Sequence, residues 1–126
     1  MKKVFITTAI FCFALLGAKA QLINTKWSGQ VSIPDLRPVL WQFGKDTLRV
    51  FFTDSSEKTE IMLYQDNPAG KSLTITKLSG GSPCENGTIG VYGYTIAGDK
   101  LSLMPTKDTC NGRSDAIKGV AFARVK

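Results

Sequence analysis

Thr88-Ile89-Gly90-Val91-Tyr92-Gly93-Tyr94-Thr95-Ile96 runs into Ala97-Gly98-Asp99 and returns through Lys100-Leu101-Ser102-Leu103-Met104. On both sides of the turn the apolar side chains recur at every second position: Tyr92, Tyr94 and Ile96 on the way in, Leu101 and Leu103 on the way out. Period two is the signature of a strand with one face buried. Ala97-Gly98-Asp99 between two such runs is the chemistry of a tight reversal. These residues therefore predict a β-hairpin.

The same alternation extends outward in both directions. Eight candidate strands can be read: Lys26–Ile33, Val39–Phe43, Thr47–Phe52, Glu60–Gln65, Ser72–Leu78, Thr88–Ile96, Lys100–Met104 and Ile117–Val125. Each is rich in β-branched, aliphatic or aromatic residues and bounded by Gly, Pro, Asn, Asp or Ser. Gly44-Lys45-Asp46 and Asp66-Asn67-Pro68-Ala69-Gly70 are further turn clusters. No window carries a sustained helical apolar stripe. The inner face is expected to hold Trp27, Val31 and Ile33; Val39, Trp41 and Phe43; Leu48, Val50 and Phe52; Ile61 and Leu63; Leu73 and Ile75; and Val120 and Phe122. Phe51 and Tyr64 fall on the outer face, and Gly29 interrupts the inner set of the first strand. Short strands joined by short turns predict an all-β domain, an eight-stranded antiparallel up-and-down barrel.

The N-terminal end reads differently. Met1-Lys2-Lys3 is positive, Val4–Gly17 is apolar apart from Thr7 and Thr8, and Ala18-Lys19-Ala20 places small residues where a signal peptidase reads. Residues 1–20 are expected to be a cleavable secretory signal, leaving one domain over residues 21–126. The apolar run is shorter than the ~20 residues that span a bilayer, so no stable membrane anchor is expected. Lys2, Lys3 and Lys19 leave with the signal, taking the formal net charge from +6 to +3. The remaining cations form no stripe, and no nucleic-acid partner is expected.

Of the three cysteines, Cys12 lies in the apolar run and departs with it. Cys84 and Cys110 then form an even pair in an oxidising compartment, periplasmic or extracellular, which reads as one disulfide. A hairpin register pairing Ile96 with Asp99 sets these two cysteines nearly opposite each other at the open end of the ribbon. A metal pair would need further ligands, and the chain has no His to supply them. No metal and no cofactor are expected.

The absence of His also removes the commonest general base. The bridged cysteines leave no thiol nucleophile. Asp35, Asp54, Glu57, Glu60 and Glu85 are scattered, mostly in loops, as solvated charges ordinarily are. The expectation is a protein that is not an enzyme. Asn86-Gly87-Thr88 matches a glycosylation sequon but reads as turn chemistry in a chain with a bacterial type of signal.

Lys26-Trp27-Ser28-Gly29 resembles the opening of lipocalin-like barrels, which carry a Trp on the first strand. From Cys84 onward the chain resembles small secreted bacterial lipocalin-like domains more specifically, through Tyr92-Gly93-Tyr94-Thr95-Ile96, Gly98-Asp99-Lys100-Leu101-Ser102-Leu103 and Asp108-Thr109-Cys110-Asn111-Gly112-Arg113. Phe122-Ala123-Arg124 is similar to the Trp-x-Arg ending of such domains. Thr25 stands where the lipocalin signature has Gly, and Phe122 where it usually has Trp. The resemblance implies a lipocalin-like fold, with Arg124 crossing Trp27 to close the barrel.

Trp41, Tyr92 and Tyr94 are the candidate ligand-binding residues, since aromatic rings with polar handles line cavities as well as filling cores. A pocket is expected beside Tyr92 and Tyr94, with Trp41 opposite. Asp108 and Arg113 flank Cys110 and either contact an anion at the mouth or tie the loop. Two partners come forward: a small apolar molecule in the lumen, or a protein, as for the secreted-protease inhibitors among small one-disulfide barrels. A protein partner would be met by the loop Ser79-Gly80-Gly81-Ser82-Pro83 or by the arm Gln21–Thr25.

Overall fold

The structure, a computed structural model, describes residues 21–33 and 35–126. The signal expected over residues 1–20 lies outside the described residues. The alternating segments form strands in sequence order: β1 Lys26–Ser32, β2 Leu36–Phe43, β3 Thr47–Phe52, β4 Glu60–Asn67, β5 Ser72–Ser79, β6 Ile89–Ala97, β7 Lys100–Asp108 and β8 Ala121–Val125. A short helix, α1 Asn111–Ile117, precedes β8. Every strand pairs antiparallel with its sequence neighbour, and β8 returns to β1, so the sheet is a closed eight-stranded barrel in up-and-down order. Closure pairs the sheet edges at the end where β8 meets β1 and β7.

Parity explains most of the interior. Trp27, Trp41, Phe43, Val50, Tyr92, Tyr94, Leu101 and Leu103 are all buried, as the alternation predicts. Each fully buried large apolar side chain is worth about 1.5–3 kcal/mol over exposure, and slipping a strand by one residue forfeits its whole inner set. Gly29 also faces inward. A Cβ there would lie 2.7 Å from Cδ1 of Phe122, so the ring occupies the space that the missing side chain leaves.

β4 reverses the expected phase. Met62 and Tyr64 are buried, whereas Leu63 is exposed and Ile61 only half-buried. The run Ile61-Met62-Leu63-Tyr64 is apolar throughout and carries no alternation of its own. Tertiary contacts decide it: the Tyr64 hydroxyl donates to Gly44 O, and Glu60 meets Lys77 inside the mouth. A register irregularity between Ile61 and Met62 accompanies this choice.

The β6–β7 hairpin is formed, but in a different register. Ile96 pairs with Leu101 and Ala97 with Lys100, leaving Gly98-Asp99 as a two-residue turn. Gly98 adopts φ +58°, the left-handed conformation that the first position of such a turn takes. This shift of partner by two residues preserves the faces. It also carries the cysteines off the ladder: Cys84 sits in the loop before β6 and Cys110 at the start of α1, with Cα atoms 5.7 Å apart, and they are bridged.

The segment expected as a strand over Ile117–Val125 is a strand only from Ala121; its first residue closes a helix and the next three turn the chain. α1 ends at Ile117, Gly119 turns the chain at φ +74°, and β8 begins at Ala121. A seven-residue helix is marginal alone. Here the disulfide pins its start, and Ala116 and Ile117 bury its inner side. β8 pairs with β7 only over Lys100–Ser102 and with β1 only over Lys26–Ser28. α1 packs against both β1 and β7, standing in for the upper part of the eighth strand. No helix among the described residues is long and apolar enough to cross a membrane.

Candidate functional site

The lumen has a filled floor and an open mouth. The floor lies where β1 and β8 pair and where the β2–β3, β4–β5 and β6–β7 turns gather. Phe43 meets Tyr64 edge-on with centroids 5.0 Å apart, and Trp41 packs on Phe122 at 4.9 Å. The Arg124 guanidinium lies over the Trp27 ring, 4.6 Å from its centroid, as the resemblance implies. Such a cation–π contact contributes about 0.5–2 kcal/mol.

The arm Gln21–Thr25 is part of this floor and not a free projection. Leu22 is completely buried. The backbone N–H groups of Gln21 and Leu22 donate to Asp66 Oδ2 at 2.8 and 3.1 Å, and Trp27 Nε1 donates to Thr25 Oγ1 at 2.8 Å. Phe43 N donates to Thr25 O at 2.9 Å, stitching the arm to β2. The Tyr94 hydroxyl donates to the other Asp66 oxygen. Burial, then the hydrogen bond to Asp66 and its charge, push the Tyr94 phenol well above its ordinary range.

At the opposite end, the β1–β2, β3–β4 and β5–β6 loops and α1 surround a cavity of about 600 Å³. Val31, Val39, Trp41, Val50, Phe52, Met62, Ala116 and Ile117 make its wall. Arg37 at the rim is engaged by its acidic neighbours. Arg37 lies 4.0 Å over Phe52 and pairs with Asp54 at 3.2 Å and Glu57 at 3.0 Å. The Ser79–Pro83 loop forms a lip tied from inside. Lys77, only 2% exposed, donates through Nζ to Ser82 O, Ser82 Oγ and Cys84 O, while Ser82 N donates to Glu60 Oε1 at 2.6 Å.

One wall of the mouth is a polar clamp. Arg113 donates through Nε and Nη2 to the two Asp108 oxygens, both at 2.8 Å, and Cys110 N donates to Oδ1 at 2.8 Å. The Tyr92 hydroxyl also donates to Asp108. Burial favours the neutral Asp108 carboxyl, but the bonds from Arg113, Tyr92 and Cys110 outweigh it and hold the group below the usual carboxylate range. The same burial, with Asp108 as acceptor, pushes the Tyr92 phenol far up. Two buried donors among the described residues have no hydrogen-bond partner, Trp41 Nε1 and Arg113 Nη1. Both belong to residues that line the cavity. No group of three or more metal-ligating side chains gathers among the described residues.

No protein-family model, curated protein or solved structure matches the chain. The geometry alone therefore carries the assignment of the site.

Of the candidate ligand residues, Trp41 lines the cavity, but Tyr92 and Tyr94 do not. The two tyrosine hydroxyls point to opposite ends of β6 and act as ties, Tyr92 to Asp108 and Tyr94 to Asp66. Asp108 and Arg113 are joined, which favours the loop-tying role over an anion contact. Sequence reasoning missed Asp66, Glu60, Lys77, Leu22 and the inner side of α1. Lys77 carried a usable signal, since the parity of Leu73 and Ile75 continues to it. Asp66 and Leu22 carried none, because they meet only across the closed floor.

Proposed function

We propose that this protein is an exported, lipocalin-like binding barrel that holds a small, mostly apolar molecule in the upper half of its lumen and catalyses no reaction. The observation that carries this reading is the cavity of about 600 Å³, walled by apolar side chains and opening at the mouth. That volume lies within the ~300–1,000 Å³ of small-molecule sites. An apolar wall supplies affinity by removing ligand surface from water. Arg37 and Arg113 spend their charge on Asp54, Glu57 and Asp108, so a neutral body with a carbonyl or ether oxygen suits the site better than a polyanion. The disulfide supports residence in the periplasm or outside the cell, following cleavage of the signal before Gln21.

The protein-binding reading has less support. Its arm, Gln21–Thr25, is docked through Leu22, and its loop, Ser79–Pro83, is tethered by Lys77. Native mass spectrometry of protein taken from its own compartment, with titration by an apolar fluorescent probe, tests the choice. A retained small molecule or saturable probe binding that quenches Trp41 is expected. A bare chain that binds no probe, or one that copurifies with a protein, sinks the small-molecule reading. Turnover of an ester, peptide or glycoside abolished by a single carboxylate substitution contradicts the non-catalytic reading.

A further inference from the structure

The contact between Gln21 and Asp66 joins the expected processing point to the floor of the barrel. Gln21 N lies 2.8 Å from Asp66 Oδ2, and Leu22 N shares the same oxygen at 3.1 Å. Asp66 Oδ1 is already engaged by Tyr94, so the carboxylate is held with Oδ2 turned to the arm. Leu22, the residue after this contact, is 0% exposed and plugs the barrel floor. The sequence Ala18-Lys19-Ala20 directs cleavage to the peptide bond whose nitrogen makes the contact.

We propose that Asp66 is the receptor for the α-ammonium group of the processed chain, so that signal removal completes the barrel floor. Hydrolysis by a signal peptidase breaks the Ala20–Gln21 C–N bond. Water supplies hydroxyl to the Ala20 carbonyl and hydrogen to the Gln21 nitrogen, and the proton from the new carboxylic acid makes that nitrogen an ammonium. A neutral amide donor thereby becomes a cation against a carboxylate, a stronger kind of hydrogen bond. The groups facing this pair are Tyr94 from β6, Tyr64 from β4 and, beyond Tyr64, Asp46 from the β2–β3 turn. Both phenols are held neutral by burial and by these carboxylates, so Asp66 is the anion nearest the ammonium. The precursor lacks this cation as well as the disulfide, which leaves its floor less firmly closed before export. Cyclisation of an N-terminal Gln21 to pyroglutamate would remove the charge and undo the lock.

The inference rests on export with cleavage before Gln21, and it is independent of what the mouth binds. The test begins with N-terminal sequencing of the exported full mature chain, and a start other than Gln21 overturns the proposal. The rate at which the α-amino group is acylated is then compared across three folded proteins: the mature chain, its Asp66→Asn variant, and a chain beginning at Ala20. The ion pair is expected to slow acylation about tenfold in the mature chain relative to both others, one pKa unit being a tenfold change in the free amine. Amide exchange at Leu22 and Phe43 should quicken in the same two proteins. Equal acylation rates in all three overturn the lock. If Asp66→Asn fails to fold, the chain beginning at Ala20, which keeps every side chain, decides alone. Probe binding at the mouth is measured in parallel, so failure of the floor lock and failure of the ligand reading are separately visible.

Discussion

Arg113 in the first turns of α1 reaches back to the end of β7 and grips both oxygens of Asp108, at 2.8 Å each. The Asp108 side chain is fully buried and that of Arg113 is 8% exposed. The pair fastens the helix to the barrel beyond the short reach of β8. Its two charges have left water, and each depends on the other for compensation.

Asp108→Ala is expected to cost about 3–5 kcal/mol, because it strands a buried guanidinium and removes the acceptor of Tyr92. Urea unfolding of the chain over residues 21–126 checks this. A loss under about 1 kcal/mol would show that the clamp is not an important source of stability.

The clamp also predicts a pH dependence. The Asp108 carboxyl is held below its usual value in the folded chain. Its contribution is therefore present above the unfolded carboxyl pKa of about 3.9 and is lost as pH falls through the lower, folded value. Stability measured from pH 6 down to pH 2 should fall more steeply in the native sequence than in Asp108→Asn. Parallel curves would contradict the assignment.

Replacing both Cys84 and Cys110 by Ala should lower stability by about 2–4 kcal/mol, since the bridge closes a loop across a separation of 26 residues. Thiol titration of denatured, unreduced protein spanning residues 21–126 should find none free. Two free thiols there would refute the bridge.

Gly90 pairs with Asp108 across β6 and β7, and a Cβ at position 90 would come 2.7 Å from Asp108 Oδ2 and 2.9 Å from the Tyr92 ring. Gly90→Ala is therefore expected to cost about 1–3 kcal/mol through overpacking. Thermal or urea unfolding measures it. A neutral outcome would mean that the clamp yields without loss.

Filling the mouth separates binding from folding. Ala116→Phe places a ring where α1 lines the cavity and should weaken probe binding by tenfold or more, about 1.4 kcal/mol, with little change in the circular dichroism spectrum. Trp41→Phe should abolish the fluorescence response, with the buried Trp27 unresponsive. Unchanged affinity in Ala116→Phe would remove the cavity as the site.

Much of the fold was legible in the chain because a strand writes its buried face at every second residue. The inner residues of β2, β3, β5, β6 and β7 follow from that pattern. The pattern failed where it was absent, in the unbroken apolar run Ile61–Tyr64, and ahead of Ala121, where the end of a short helix and a turn stand in place of the first four residues of the expected strand. The candidate site was less legible. Trp41 lies on the cavity wall, but the tyrosines expected beside it spend their hydroxyls on Asp108 and Asp66. A side chain's parity says that it points inward and not what it meets there.

By itself the sequence determined the strand order, the inner faces of most strands and the pairing of Cys84 with Cys110, because backbone periodicity and a count of two are local facts. Only the tertiary structure decided how the lumen divides. Leu22 and Asp66 are 44 positions apart in the chain and meet at the floor because the barrel closes. Ala116 and Ile117 help form the mouth because β8 is too short to fill its place. Where the interior is filled and where it stays open depends on the volumes of side chains brought together from distant strands, and no local pattern carries that sum.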